Sequence, residues 1–107
     1  MGTFEDTEEL RMKAIQAIKL VYDPEIPIDI FELGLIYEVN VLPINNVEVI
    51  MTLTSPSCPS AEQIPSEVEQ RIKELPQVND CNVTITWDPP YHQDMMSDAA
   101  KLELGLL

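Results

Sequence analysis

Two runs of alternating apolar residues, divided by a short turn, limit the fold of this chain more than any other feature. Leu35, Tyr37, Val39 and Val41 recur at every second position over 35–41, and Val47, Val49, Met51 and Leu53 do the same over 47–54. Period two marks a strand with one buried face. Pro43-Ile44-Asn45-Asn46 lies between the runs and supplies turn chemistry, so they are read as a β-hairpin. A third strand is predicted over 81–87, with Cys81, Val83, Ile85 and Trp87 inward and Asn82, Thr84 and Thr86 outward.

Helical spacing surrounds these strands. Asp6 is placed to cap a first helix, with Glu9 three residues on as in a capping box, and Leu10, Ala14, Ala17, Ile18 and Val21 form its apolar stripe. Pro24 disfavours helical geometry at Asp23, so this helix is expected to end near Tyr22. A short turn over Ile30–Leu33 should stop at Gly34. A second helix over 59–74 carries Ala61, Ile64, Val68, Ile72 and Leu75, with Pro59 at its start and Pro76 beyond its end. Ser97 is expected to cap a last helix over 98–104, stopped by Gly105. The order α-β-β-α-β-α predicts the α+β class: a compact domain with a small three-stranded mixed sheet and helices packed on one face. One domain is expected over 1–107, with residues 1–5 mobile.

Charge narrows the function. Six Lys and Arg stand against 19 Asp and Glu, a net charge of -13. A nucleic-acid binder needs a basic footprint, and this balance argues against one, as it does against an anionic membrane surface. No apolar run is long enough to span a bilayer, and the first residues lack the pattern of a secretory signal. Two cysteines do not make a disulfide framework, so a cytoplasmic protein with reduced thiols is expected.

Cys58 is the foremost site candidate. It precedes Pro59 where a strand hands over to a helix, at or near the N-cap, and unpaired N–H groups there favour thiolate. A free cysteine is most often a small buried hydrophobe, but the flanking Ser55, Pro56, Ser57 and Ser60 make a polar turn rather than a core. Cys81 shares a face with Val83 and Ile85 and is read as a core thiol. Asp23 and Glu25 flank Pro24 in a rigid turn; the pair suits cation binding or acid–base work, against the plainer reading of a solvated acidic turn. His92, the only histidine, is a candidate additional ligand or an idle loop residue. Trp87 and Tyr91 either pack the C-terminal segment down or anchor a partner. There is no G-x-S-x-G, no Gly-rich phosphate loop and no H-E-x-x-H.

Three segments together carry a resemblance. Asp23-Pro24-Glu25-Ile26-Pro27 runs into Leu33-Gly34-Leu35-Ile36-Tyr37; Thr52-Leu53-Thr54 precedes Cys58-Pro59; and Trp87-Asp88-Pro89-Pro90 leads to Met96-Ser97 and Leu104-Gly105. The chain resembles the SufT/PaaD family of small iron–sulfur assembly domains over nearly its whole length, and its SufT-like members most of all. The resemblance implies a non-enzymatic accessory factor that helps assemble or deliver clusters to client apoproteins. It implies Cys58 as the functional thiol, with the Asp23–Glu25 turn beside it, and a transient iron–sulfur cluster or iron as what is handled. Expected partners are iron–sulfur assembly proteins, client apoproteins and, since one thiol is an incomplete ligand set, a second copy of the chain. The alternatives are a metal-free adaptor, a thiol enzyme, and a PaaD-like accessory of a ring-oxidising monooxygenase.

Overall fold

The computed structural model describes residues 7–23, 26–53 and 63–106. Three strands form one sheet in the order β1 (Ile36–Leu42), β2 (Asn46–Met51) and β3 (Asp80–Ile85). β1 and β2 are antiparallel, with Val39 opposite Val49 and Leu42 opposite Asn46, and a bulge falls between Ile36 and Glu38. β2 and β3 are parallel, with Val47 beside Cys81, Val49 beside Val83 and Met51 beside Ile85. A parallel neighbour needs a crossover, and helix α2 (Gln63–Lys73) lies within it. The mixed three-stranded sheet expected from the alternation is therefore present.

Helix α1 (Thr7–Ile18) packs on β1 and on α2, and α2 packs on β3, so the two helices cover one face of the sheet together. Leu10, Ala14, Ala17 and Ile18 of α1 meet Ile64, Val68 and Ile72 of α2 and Val39, Val47, Val49 and Met51 of the sheet in one buried cluster. Burying each large aliphatic side chain contributes roughly 1.5–3 kcal/mol before conformational entropy is set against it. The outer surfaces of both helices are laced by i,i+4 pairs, Glu9 with Lys13, Glu67 with Arg71 and Glu69 with Lys73. At the free edge of β1 the Arg11 Nε donates to the Val39 carbonyl at 2.9 Å.

Two glycines end their elements as the sequence predicts. Gly34 (φ +85) and Gly105 (φ +77) each sit in the left-handed region. Each closes a Schellman motif: Leu35 N–H donates to Ile30 O and Gly34 N–H to Phe31 O, while Leu106 N–H donates to Lys101 O and Gly105 N–H to Leu102 O. The last helix, α3 (Asp98–Glu103), is capped by the Ser97 hydroxyl, which accepts from Ala100 N–H at 3.1 Å.

Two expectations need correction. α1 ends at Ile18 rather than near Tyr22. The tertiary structure takes Val21 and Tyr22 out of the helix: Ile30 N–H donates to the Val21 carbonyl at 2.9 Å, and Tyr22 bridges to Asp29. Trp87 does not point inward. β3 stops at Ile85: Thr86 N–H still donates to Met51 O at 2.8 Å, but the Thr86 hydroxyl bonds the main chain of Asp88, and Trp87 is left 47% exposed. Among the described residues no helix is long and apolar enough to cross a membrane.

Candidate functional site

The described site residues gather where β2 ends, around the turn that joins the Ile30–Leu33 segment to β1. Asp29 builds that turn. Its carboxylate accepts the N–H groups of Phe31 and Glu32, both at 3.1 Å, as a helix cap does. Gly34 then brings the chain against the C-terminal segment so closely that a Cβ there would meet the main chain of Met95, its carbonyl carbon lying only 2.7 Å away. The C-terminal segment is fastened at three further points. The Tyr91 hydroxyl donates to Leu33 O at 2.6 Å, the Tyr37 hydroxyl to Pro89 O at 2.8 Å, and Ser97 N–H to Glu32 O at 2.9 Å.

Asp23 is a carboxylate only 6% exposed. It lies close to Tyr91: burial first, then Tyr37 and the Asp23 carboxylate, push the Tyr91 phenol above its ordinary pKa. The structure thus unites two residues that the sequence singles out for different reasons. Tyr91 packs the C-terminal segment down and also forms part of the surroundings of Asp23.

Thr52 is a buried polar residue that strand phase misses. Alternation sets it opposite Met51 and Leu53, on the face read as outward, yet it is fully buried. Its N–H donates to Leu35 O at 2.8 Å, while its hydroxyl oxygen has no hydrogen-bond partner among the described residues. A buried hydroxyl left so costs roughly 1–3 kcal/mol, which makes this position a candidate for function rather than stability. The sequence signal is a threonine at the end of an alternating apolar run, two residues before the polar stretch that begins at Thr54.

The remaining candidates divide. Cys58 and Glu25 lie outside the described residues. Cys81 is 4% exposed, and burial, with Glu69 adding to it, pushes its thiol up to about 11, so it stays protonated at neutral pH. His92 caps a single 3₁₀ turn, Gln93–Met95: its Nδ1 accepts from Asp94 N–H at 3.1 Å, and the ring is well exposed. Trp87 stands on the surface. Among the described residues no three His, Cys, Asp or Glu side chains group around a point that would hold a metal ion.

Comparison with known proteins gives a consistent picture. Residues 11–85 match the model of a family described as iron–sulfur cluster assembly protein. The chain is similar to an Fe-S protein maturation auxiliary factor of Porphyromonas gingivalis, 41% identical over 97% of this chain and 96% of that protein. It is also similar to the Fe-S protein maturation auxiliary factor SufT of Staphylococcus aureus, 47% identical over 81% of this chain and 99% of that protein. Among solved structures, a domain of unknown function from Bacillus anthracis superposes with a TM-score of 0.88 at 38% identity, covering 96% of this chain and 98% of that one. The fold and the near full-length likeness agree with the motif-level resemblance, and the chain belongs to the iron–sulfur cluster assembly protein family.

Proposed function

We propose that this protein is an accessory factor in the maturation of iron–sulfur proteins, with no turnover of its own, and that Cys58 is the thiolate through which it engages a cluster, iron or a partner. The observation that carries this is its likeness, over four-fifths or more of this chain and nearly all of theirs, to proteins named Fe-S protein maturation auxiliary factors.

The chemistry of the chain supports the choice of thiol. Cys81 is buried and protonated, so Cys58 is the thiol left for metal chemistry. A single thiolate cannot complete a four-thiolate cluster site, and the cluster is cargo to be released rather than a resident group. Asp23, Glu25, His92, a second copy or a client supply the other contacts. Tyr91 positions the segment around Asp23, and Trp87 offers an aromatic side chain to a partner. A net charge of -13 favours encounter with basic surfaces on assembly proteins and client apoproteins. The site of action is the cytoplasm.

The test is anaerobic purification followed by iron and sulfide measurement per chain, for the wild type and Cys58→Ser, beside the activity of iron–sulfur enzymes in cells carrying each. The expected result is a fall in client activity with Cys58→Ser while the far-UV circular dichroism stays unchanged. Full client activity in the Cys58→Ser strain would overturn the assignment. A protein that stays colourless after reconstitution yet still needs Cys58 would be a metal-free adaptor instead.

A further inference from the structure

The sheet has a second face, away from α1 and α2. Val39 and Val49 are paired and buried beneath the helices, so the next pair, Glu38 and Ile50, points the other way. There the C-terminal segment crosses the end of the sheet and leaves a groove of about 650 Å³. Its walls are Phe31, Ile36, Tyr37, Ile50, Pro89 and Met95. They are held in place: the Tyr37 hydroxyl donates to Pro89 O at 2.8 Å and contacts the Met95 sulfur at 3.6 Å, and Gly34 packs against Met95 from beneath. A preformed groove avoids the ordering cost of shaping one on binding.

Charge defines the occupant. Two exposed carboxylates, Glu38 and Asp88, line this groove, and no Lys or Arg does. The Glu38 carboxylate accepts only from Asn40 Nδ2, at 3.1 Å, among the described residues. The ion pairs of Arg11, Lys13, Lys19, Arg71 and Lys73 all go to other acids. Lys19 stands over the Phe31 ring at 5.2 Å, and Glu32 pairs with it at 3.5 Å. The groove is thus an apolar slot with uncompensated negative charge at its margin. A second copy of the chain is a poor match for these two carboxylates, because it carries 19 acidic residues against six basic ones.

We propose that this groove is a docking site for an extended basic–apolar segment of a partner protein. An aliphatic or aromatic side chain of that segment seats against Ile50 and Met95, and flanking Lys or Arg residues meet Glu38 and Asp88. The site is independent of Cys58, so it stands or falls separately from the thiol.

The experiment titrates the 15N-labelled full chain with the peptide acetyl-Gly-Arg-Leu-Phe-Arg-Gly-amide. Two controls accompany it, one with both Arg replaced by Glu and one with Leu-Phe replaced by Ser-Ser. The expected result is saturable shifts of the amides of residues 36–38, 50, 86–88 and 91–95 with the first peptide and neither control. The double variant Glu38→Gln with Asp88→Asn should bind about two- to thirtyfold more weakly, the range of two exposed charge pairs. Both substituted side chains are exposed, so its spectrum should otherwise match the wild type. Failure to saturate at millimolar peptide, equal binding of the Glu control, or shifts confined to α2 would overturn the proposal. So would concentration-dependent shifts of the groove amides without peptide, which would name a second copy as the occupant.

Discussion

The Tyr91 hydroxyl donates a 2.6 Å hydrogen bond to the main-chain carbonyl of Leu33, joining the C-terminal segment to the turn that precedes β1. The bond spans 58 positions, and the same side chain feels the Asp23 carboxylate. Replacing it with Tyr91→Phe keeps the ring and strands a carbonyl. The expected loss is about 1–2 kcal/mol of unfolding free energy, measured by urea denaturation. The variant should also lose one phenol from the alkaline end of the ultraviolet titration. Because the folded pKa of Tyr91 is raised, its contribution is full below the unfolded value near 10 and fades as pH climbs past it.

Thr52 separates stability from function. Thr52→Val replaces a buried hydroxyl that has no partner among the described residues with a methyl group of similar shape, and should leave the fold as stable as the wild type or stabilise it by about 1 kcal/mol. If the hydroxyl serves the site, the same variant should support client enzymes poorly. A clear loss of stability on denaturation would show that the hydroxyl is satisfied in solution.

Cys81 is expected to resist alkylation. With its thiol at about 11 rather than the ordinary 9.0, the thiolate fraction at pH 8 is about a hundredfold lower, and access is closed as well. Iodoacetamide on the native protein followed by peptide mass mapping should leave Cys81 unmodified until denaturant is added. The raised value also predicts declining stability as pH rises from 9 to 11, since the unfolded chain then loses a proton that the folded chain keeps. Cys81→Ala should flatten that alkaline limb.

Gly34 combines two constraints. Its φ of +85 is left-handed, and a Cβ would be driven into the Met95 main chain. Gly34→Ala should cost about 2–4 kcal/mol from backbone strain and overpacking together. Gly105 has a similar φ of +77 but open space around it, so Gly105→Ala should cost only about 1–2 kcal/mol. Equal losses in thermal melts of the two variants would mean that the Met95 contact relaxes freely.

Periodicity makes the strands, the hairpin and both core-facing helices legible in the sequence. Val47, Val49 and Met51 on one side of β2 and Ile64, Val68 and Ile72 along α2 can bury themselves only in the way observed. Local chemistry likewise marked the Ser97 cap and the stops at Gly34 and Gly105. These are short-range effects, settled within a few residues by sterics and backbone hydrogen bonding. Motifs spread along the chain also carried the family.

Tertiary structure alone decided the rest, because it depends on residues far apart in sequence meeting in space. α1 yields Val21 and Tyr22 to contacts with Ile30 and Asp29, and β3 releases Trp87 once its ladder with β2 is exhausted. Neither outcome is written in local propensity. Thr52 is buried where its N–H meets Leu35 O, and the approach of Tyr91 to Asp23 and the acidic groove between Ile50 and Met95 arise where the C-terminal segment folds back over the end of the sheet. Sequence determined which faces must be covered; only the packing of distant segments determined which polar groups were enclosed with them.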